Sequence, residues 1–307
     1  MANKYNVTRN AIWKAVNLLK QDGYNIDSVR NKGYCLLHQN DIISQQGIKK
    51  YLRNNLFDID VYKTIDSTNI RLKQIAVNCK EGKVIVALHQ TAGKGRMGRS
   101  FFSPHDSGIY LSVLVRPNFS AEQALYLTTA AAVAVAKSIE NICGIKADIK
   151  WVNDIYCGAK KVCGILTEAS FNLENQTIDY AVVGIGVNLF TPKEGFPDEL
   201  KNIATSVLQN KGEVLDIKCK LIAEILDNFF DYYNGIPNKT FFAEYKARSF
   251  IIGKEVSIIQ GEKIINAKVI DIDNQCKLLV RYNGEGEIHQ ISSGEVSIKP
   301  VIGSSWA

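Results

Sequence analysis

The sequence predicts an α+β protein built in three parts, on the evidence of how its apolar residues are spaced. A short helix and a hairpin fill residues 1–40, and strand-like and helical segments alternate over residues 41–247. Short strand-like runs separated by Gly, Asn and Asp follow over residues 248–307. No internal repeat or low-complexity segment appears, so we expect three different domains.

The composition is that of a globular protein with enough apolar residues for more than one core. The 307 residues are 46% hydrophobic and 22% charged, which allows two or three domains. No apolar run approaches the roughly 20 residues of a membrane span, and the polar first residues lack the apolar segment of a signal peptide. We therefore expect a cytoplasmic protein with no membrane partner. The net charge of +6 permits contact with a polyanion without requiring it.

The seven cysteines are scattered along the chain without a Cys-x-x-Cys pair or a Cys/His cluster. Their odd number and wide spacing argue against a disulfide framework and against structural zinc. We expect reduced thiols, and we assign no residue as a direct metal ligand.

The first part is predicted to contain one amphipathic helix and one hairpin. Apolar residues recur at helical spacing over residues 7–23, with Thr8 available as N-cap and Gly23 as a stop. Residues 25–37 then contain two short strand-like runs joined by Asn31-Lys32-Gly33, which is a hairpin signal.

A helix followed by a basic-tipped hairpin resembles the recognition helix and wing of a winged helix-turn-helix. The same pattern also fits a small amphipathic helix with a solvated polar face. A complete module needs a supporting helix ahead of the turn, and too few residues precede Val7 to provide one. Either the chain begins at an internal methionine or the module is reduced, so we expect impaired DNA binding. The residues placed to contact DNA are Thr8, Arg9, Asn10, Trp13, Lys14 and Lys32.

The central part is predicted to form a sheet with antiparallel and mixed pairing, because several connections are too short for a helical crossover. A long alanine-rich helix is expected over residues 121–144, ending at Gly144. The central strands are predicted at 57–65, 83–90, 108–115, 147–158, 160–170 and 177–190. Shorter runs at 254–260, 263–273, 276–282, 287–293 and 295–299 have the spacing of a small β-barrel.

The loop HQTAGKGRMGRSFFSP, residues 89–104, is the strongest indication of function. Glycines at 93, 95 and 98 let the backbone approach a ligand closely, and Lys94, Arg96 and Arg99 supply positive charge. Because three neighbouring cations repel one another unless an anion neutralises them, the loop favours a phosphate or carboxylate ligand. A solvated basic hairpin loop is the alternative.

The Gly-x-Gly-x-x-Gly spacing in this loop does not indicate a dinucleotide fold. In that fold the motif opens a helix, whereas here the loop runs into another predicted strand. The Gly-x-x-x-x-Gly-Lys-Ser/Thr motif of a P-loop does not occur either.

Two further groups of polar residues lie at the ends of predicted elements. The run KWVND, residues 150–154, closes one strand, and Lys161 lies on the next, so cations, an amide and a carboxylate could surround one pocket. Taken alone, KWVND also fits a turn with an Asn/Asp cap. The triplet Ser67-Thr68-Asn69, following Asp66, also fits an ordinary helix N-cap.

Together and in this order, the motifs resemble a bacterial biotin protein ligase of the kind that can double as a biotin operon repressor. The resemblance covers nearly the whole chain and implies an incomplete winged-helix segment, a mixed-sheet catalytic domain of the class II synthetase-like biotin/lipoate ligase type, and a C-terminal SH3-like β-barrel. Lipoate protein ligases rank second, and a non-enzymatic dinucleotide-binding protein ranks far behind. The motifs are Ser67-Thr68-Asn69, Gln90, GKGRMGR, KWVNDIY, KKVCGILTE, VVGIGVNL and the terminal GEVSI.

The resemblance implies two reactions. Biotin and ATP give biotinyl-5′-AMP and pyrophosphate, and the biotinyl group then passes to a lysine of a biotin carboxyl carrier protein. Mg²⁺ should accompany ATP, held mostly through its phosphates. The resemblance also implies a homodimer when ligand is bound, with operator DNA as a doubtful partner for this chain.

The resemblance also implies roles for individual residues. Arg96 and Lys161 would act on phosphate and carboxylate as charge develops, and Asp154 would orient the incoming lysine amine or accept its proton. For Asp154, a surface carboxylate in a turn is the alternative. The implied biotin pocket comprises Ser67, Thr68, Asn69, Gln90, Gly93, Lys94, Gly95, Arg96, Lys161 and Gly164, and the implied nucleotide contacts are Arg96, Arg99, Phe101, Asn153 and Asn188.

Two positions depart from the family pattern. The family loop usually has arginine where this chain has Lys94, which keeps the charge but gives up bidentate geometry. Because the family's loop closes over bound adenylate, we expect weaker retention of that intermediate. Phe101 stands where a tryptophan often covers the adenine, which leaves stacking with less area.

Overall fold

Three β-sheets organise the protein: a hairpin near the N-terminus, a seven-stranded central sheet and a five-stranded C-terminal sheet. They are seen in a computed structural model that describes residues 2–21, 24, 26–29, 32–37, 41–120, 123–172, 177–209, 216–260 and 263–298.

The N-terminal module has the predicted helix and hairpin. Thr8 caps the helix as predicted, because its Oγ1 accepts the Ala11 N–H at 3.1 Å. Gly23 and Asn31, predicted to stop the helix and to begin the turn, lie outside the described residues. A four-residue helix precedes the capped one, in a stretch that the sequence analysis left without a helix. The elements are α1 (Ala2–Tyr5), α2 (Arg9–Gln21), β1 (Ile26–Val29) and β2 (Gly33–Leu36), the last two antiparallel.

The central sheet confirms the predicted mixed pairing. Its strands in spatial order are β3 (Asp58–Tyr62), β4 (Lys83–Ala87), β5 (Gly108–Val115), β9 (Thr177–Asn188), β8 (Lys160–Asn172), β7 (Asp154–Cys157) and β6 (Asp148–Lys150). The β3–β4 pair is parallel and the remaining pairs are antiparallel. The parallel pair needs a crossover, and α4 (Thr68–Ile75) provides it. A shorter helix, α3 (Gln45–Lys49), precedes β3.

Helices cover both faces of the central sheet. α5 (Ala124–Cys143), the predicted alanine-rich helix, packs in the main core together with α6 (Ile217–Asn234). On the opposite face, α4 packs through Leu72, and Ala76 packs there just after the end of α4. α5 ends as predicted at Gly144, whose left-handed φ of 68° suits a residue without Cβ. The sequence analysis did not predict α6 or α7 (Phe242–Arg248).

The segment predicted as one strand over residues 147–158 is instead a hairpin, β6 and β7, with a tight turn at Trp151–Asn153. Side chains stabilise that turn, which strand propensity alone does not anticipate. Trp151 Nε1 donates to Cys276 O at 2.9 Å, and the buried Tyr245 hydroxyl of α7 donates to Val152 O at 3.2 Å. The turn is therefore fixed by residues distant in sequence.

The C-terminal strands form one antiparallel sheet, at the places where five strands were predicted. Val256, Val269 and Val280 of this sheet belong to the same apolar core as the central sheet. Among the described residues, no helix is long and apolar enough to cross a membrane. In spatial order the strands are β13 (His289–Ile291), β12 (Leu278–Tyr282), β11 (Lys263–Ile272), β10 (Glu255–Gln260) and β14 (Glu295–Ile298).

Candidate active site

A pocket opens where β8 and β9 run between the N-terminus of α4 and the glycine loop. The space between its walls is about 860 Å³ when the open solvent at its mouth is included. The structure brings most of the residues of the predicted site to its lining: Ser67, Thr68, Asn69, Gln90, Lys94, Gly95, Arg96, Arg99, Phe101, Asn153, Asp154, Lys161 and Gly164.

The two ends of the pocket differ in charge and in burial. At the first, Ser67, Thr68 and Asn69 are all less than 5% exposed. At the second, Lys94 and Arg99 are exposed on the loop. We call Ser67, Thr68, Asn69 and Gln90 the neutral end, and Lys94, Arg96, Arg99 and Lys161 the cationic end.

Glycines on adjacent strands form the floor of the pocket. Gly164 of β8 pairs with Gly186 of β9, and Gly184 lies two residues earlier on the same strand. A Cβ on Gly186 would lie 2.5 Å from the Phe101 ring, and a Cβ on Gly184 would overlap the Asn69 side-chain oxygen. The absence of side chains therefore lets Phe101 and Asn69 lie against the sheet.

Hydrogen bonds among its own residues hold the neutral end together. Gln90 Oε1 accepts the Thr68 N–H at 2.9 Å, and Gln90 Nε2 donates to Ser103 Oγ at 2.9 Å. Ser112, fully buried on β5, places its Oγ 2.6 Å from Asn69 Oδ1 and 2.7 Å from Thr68 Oγ1. These side chains have a fixed arrangement before any ligand arrives.

Asn69 also connects the neutral end to a carboxylate. Its Nδ2 donates to Glu168 Oε2 at 2.9 Å and to Leu166 O at 3.3 Å, and Lys73 of α4 donates to Glu168 Oε1 at 2.6 Å. Although burial acts to raise it, hydrogen bonds from Lys73 and Asn69 hold the pKa of Glu168 below its usual value. Glu168 is therefore an ionised acceptor at neutral pH.

The glycine loop folds into a small hairpin beside the pocket. Gly95 N–H donates to Arg99 O at 2.7 Å, and Phe101 N–H donates to Gly93 O at 2.8 Å. The chain reverses at Met97, which has a left-handed φ of 54° and is 63% exposed. These contacts support the loop at its base and leave its tip open to solvent.

Arg96 reaches from this loop to two other parts of the protein. One guanidinium nitrogen donates to Asn153 Oδ1 at 2.8 Å, and the other lies 3.5 Å from Gly294 O of the C-terminal sheet. Asn153 is itself fixed, since its Nδ2 donates to Ile165 O at 2.8 Å. Both oxygens that face Arg96 are neutral, so its positive charge can still attract an anion.

Lys161 and Asp154 form an ion pair on the β7–β8 hairpin. Lys161 Nζ lies 2.6 Å from Asp154 Oδ1, and both side chains are partly exposed. The two charges offset each other in this state. An anionic ligand could take the place of Asp154 beside Lys161, which would leave the carboxylate open to another partner.

Two residues of the predicted site lie off the pocket lining. Gly93 lies behind Gln90, where a Cβ would come within 2.6 Å of Phe101 O. Asn188 ends β9, pairs with Gly108, and accepts a backbone hydrogen bond through its own carbonyl oxygen. Gly93 therefore supports the pocket from behind, and Asn188 lies at its periphery.

The residues predicted to contact DNA lie together on the N-terminal module. Trp13 of α2 is 54% exposed, and Arg9, Asn10, Lys14 and Lys32 are exposed as well. Thr8 is also exposed and is occupied in capping α2.

The sequence analysis missed several residues that shape the pocket. The alternation Gly-Ile-Gly in β9 was a usable signal, because a period of two places both glycines on one face of a strand. Ser112, Glu168 and Gly294 carried no such signal, since each is brought to the site by pairing or turns distant in sequence. No group of three or more His, Cys, Asp or Glu side chains is placed to hold a metal within the described ranges.

Family models match three segments of the chain. Residues 61–188 match the biotin/lipoate A/B protein ligase family, residues 251–299 match the biotin protein ligase C-terminal domain, and residues 1–35 match a helix-turn-helix domain. The first match contains the neutral end, the glycine loop and Lys161.

Relatives of known name match over most of their length. The bifunctional ligase/repressor BirA of Bacillus spizizenii is 40% identical, and that of Bacillus subtilis is 34% identical, each over 95% of this chain and 90% of the relative. Among solved structures, the Aquifex aeolicus biotin protein ligase in complex with biotin and ATP is 28% identical. It superposes with a TM-score of 0.65, covering 80% of this chain and 99% of that chain.

Proposed function

Since this chain belongs to the biotin protein ligase family, we propose that its pocket is where biotin is activated by ATP and passed to a lysine of a biotin carboxyl carrier protein. The observation that carries the proposal is the meeting of a neutral hydrogen-bonding end and a cationic end in one pocket. Biotin is itself divided in this way, with a neutral ureido ring at one end and a carboxylate at the other. ATP adds further negative charge at the carboxylate end.

The neutral end is proposed to bind the ureido ring. Thr68, Asn69 and Gln90 offer hydroxyl and amide groups already held in place, and the floor glycines let Asn69 take its position against the sheet. An apolar body with a few fixed polar contacts is the usual design of a small-molecule site.

The cationic end is proposed to bind the reacting carboxylate and the phosphates of ATP. Attack of the carboxylate oxygen on the α-phosphorus forms the mixed anhydride, and pyrophosphate leaves with its electron pair. Arg96 is held by neutral oxygens and can donate to phosphate, while Lys161 can move from Asp154 to the charge that develops between carboxylate and α-phosphate. Arg99 adds a second guanidinium from the loop.

Asp154 is proposed to act in the second step. Once phosphate occupies Lys161, the freed carboxylate can orient the acceptor lysine and take a proton from its ammonium group. The neutral amine then attacks the anhydride carbonyl, an amide forms, and AMP leaves.

Phe101 and Asn153 are proposed to contact the nucleotide, and so is Asn188, which ends β9 two residues after Gly186 of the pocket lining. Mg²⁺ would enter with ATP, held chiefly through phosphate oxygens. The pocket lining fits that arrangement, because Asp154 is its one carboxylate in the described chain and already faces Lys161.

A second function, biotin-dependent repression, is favoured by the N-terminal module. It has a helix and a hairpin with exposed polar and basic side chains, and the two named relatives are ligase/repressors. We propose that a liganded homodimer presents two copies of α2 to a palindromic operator in the cytoplasm. A gel shift with and without biotin and ATP tests this, and DNA binding that ignores both ligands would contradict it.

ATP–pyrophosphate exchange is the direct test of the ligase function. We expect exchange only when biotin is present, followed by labelling of a carrier domain at one lysine. Lipoate and octanoate serve as controls, and exchange supported by lipoate alone would overturn the assignment.

A further inference from the structure

Glu168 lies next to the neutral end, outside the residues assigned to biotin. Its carboxylate and the Leu166 carbonyl both accept from Asn69 Nδ2, at 2.9 and 3.3 Å. Neither of these groups can donate, so the amide nitrogen of Asn69 must face them. Asn69 Oδ1 is thereby directed at Ser112.

The position of one proton follows from that orientation. Ser112 Oγ lies 2.6 Å from Asn69 Oδ1 and 2.7 Å from Thr68 Oγ1, and a hydroxyl has a single hydrogen to donate. Asn69 Oδ1 has none, so the short contact between the two is a hydrogen bond only if Ser112 donates to it. The 2.7 Å contact between Thr68 and Ser112 then uses the hydrogen of Thr68, in preference to the longer contact of Thr68 Oγ1 with Gln90 Oε1 at 3.2 Å.

We propose that Glu168 is a specificity-determining positioning residue, because its negative charge directs the hydrogens of Thr68, Ser112 and Asn69 toward itself. This proposal rests on the proposed function, in which the neutral end binds biotin. Thr68 Oγ1 is left to face the pocket as a hydrogen-bond acceptor. Gln90 Nε2, which gives one hydrogen to Ser103, has a second to offer as a donor. A ligand group carrying both N–H and C=O, such as a cyclic urea, matches that pattern.

Glu168 is the nearer of the two acceptors that fix the direction of this series of hydrogen bonds, at 2.9 Å from Asn69 Nδ2 against 3.3 Å for Leu166 O. Lys73 holds the carboxylate from α4 at 2.6 Å, and the ammonium of Lys94 on the glycine loop also acts favourably on it. A neutral amide at position 168 could present its own hydrogens to Asn69. Asn69 could then turn over, and every donor from Ser112 to Thr68 could reverse, so the pocket would no longer offer one pattern.

The test compares Glu168→Gln with the unmodified protein by titration calorimetry with biotin. We expect the Kd for biotin to rise about 10-fold, the effect of losing one well-placed hydrogen bond, while the KM for ATP changes less than about 2-fold. Lys73→Met should weaken biotin binding in the same direction and less. Asp271→Asn is the matched control, since it removes one partner of a 2.6 Å ion pair of similar exposure away from the pocket.

A double-mutant cycle separates a directed hydrogen-bond chain from a general loss of structure. If Glu168 acts through Ser112, Glu168→Gln in a Ser112→Ala background should weaken biotin binding by less than about 2-fold. Additive effects, an unchanged Kd in Glu168→Gln, or an equal loss for ATP would overturn the proposal. If the unmodified protein bound no biotin, the proposed function itself would fail, which is a distinguishable result.

Discussion

The neutral and cationic ends of the pocket differ in how their side chains are held. At the neutral end, Thr68, Asn69 and Gln90 are hydrogen-bonded to one another or to Ser112 from fixed positions on helix and strands. At the cationic end, three of the four charges stand on the glycine loop, and Lys94 and Arg99 are exposed there. The neutral end is thus ordered by its own hydrogen bonds before a ligand binds, and the cationic end is more open to solvent.

The chemistry of the two ligands accounts for this difference. A buried neutral polar group without a partner costs about 1–3 kcal/mol, so groups that read a urea must be satisfied in advance and aimed correctly. A cation on an exposed loop stays hydrated until phosphate binds. The loop backbone can then carry the cation toward the phosphate. Discrimination between biotin and other acids should therefore depend on the neutral end, and the rate of adenylate formation should depend on the cationic end.

Arg96→Ala should produce the largest effect and would break the cationic end. Loss of a charge held by Asn153 and aimed at phosphate should lower the rate of adenylate formation on the order of 100- to 1000-fold. The KM for biotin should change much less. Biotin-dependent pyrophosphate exchange, measured over a range of biotin and ATP concentrations, separates the two effects.

A matched control for that variant is Arg281→Ala, which removes an exposed arginine from β12. It should leave both parameters within about 2-fold. If Arg96→Ala raised the KM for biotin as much as it lowered the rate, the division of labour between the two ends would be wrong.

Asp154→Asn should separate the two reaction steps, adenylate formation and transfer to the carrier, at the cationic end. Asparagine keeps the shape but cannot accept a proton, so transfer to the carrier should slow about 100-fold while adenylate formation changes less. Single-turnover transfer from preformed biotinyl-5′-AMP measures the second step alone. Equal losses in both half-reactions would remove the role of Asp154 in transfer.

Gly184→Ala should damage the neutral end, and it should therefore affect the KM for biotin more than the rate, the reverse of Arg96→Ala. The new Cβ would overlap Asn69 Oδ1, displace that amide from Ser112, and raise the KM for biotin about 10-fold with a smaller effect on the rate at saturation. Gly286→Ala is the control, because a Cβ there meets nothing within 4 Å. A loss of rate with an unchanged KM for biotin would contradict the assignment of this end.

Much of the fold could be predicted from local patterns. The cap at Thr8, the stop at Gly144 and the alternation of the strands are each set by neighbours in sequence, and the structure has them where they were expected. The turn at Trp151–Asn153 appeared in the sequence analysis only as an alternative for KWVND, inside a segment predicted as one strand. Its partners, Cys276 and Tyr245, lie about a hundred residues away, and strand propensity carries no information about them.

The residues of the candidate site also differ in whether local sequence predicts them. The loop glycines and cations predict an anion-binding loop from sequence alone, since charge and backbone freedom are properties of the residues themselves. Ser112 and Glu168 look like ordinary strand residues, and their part in the pocket depends on which atoms the sheet register brings within 3 Å of Asn69. The direction in which a series of hydrogen bonds runs is fixed only in the folded structure.

Lys94→Arg should have the smallest effect. It tests whether a lysine at this position of the loop limits retention of biotinyl-5′-AMP. Lys94 is exposed and acts as a point charge, whereas arginine can hold phosphate through two parallel hydrogen bonds. We expect biotinyl-5′-AMP to dissociate about 3-fold more slowly from the variant, with little change in the KM for biotin, because the neutral end is untouched. The off-rate can be followed by displacement of labelled adenylate. An unchanged or faster off-rate would mean that the ammonium already makes the contact the loop needs, and that weak retention, if observed, arises elsewhere.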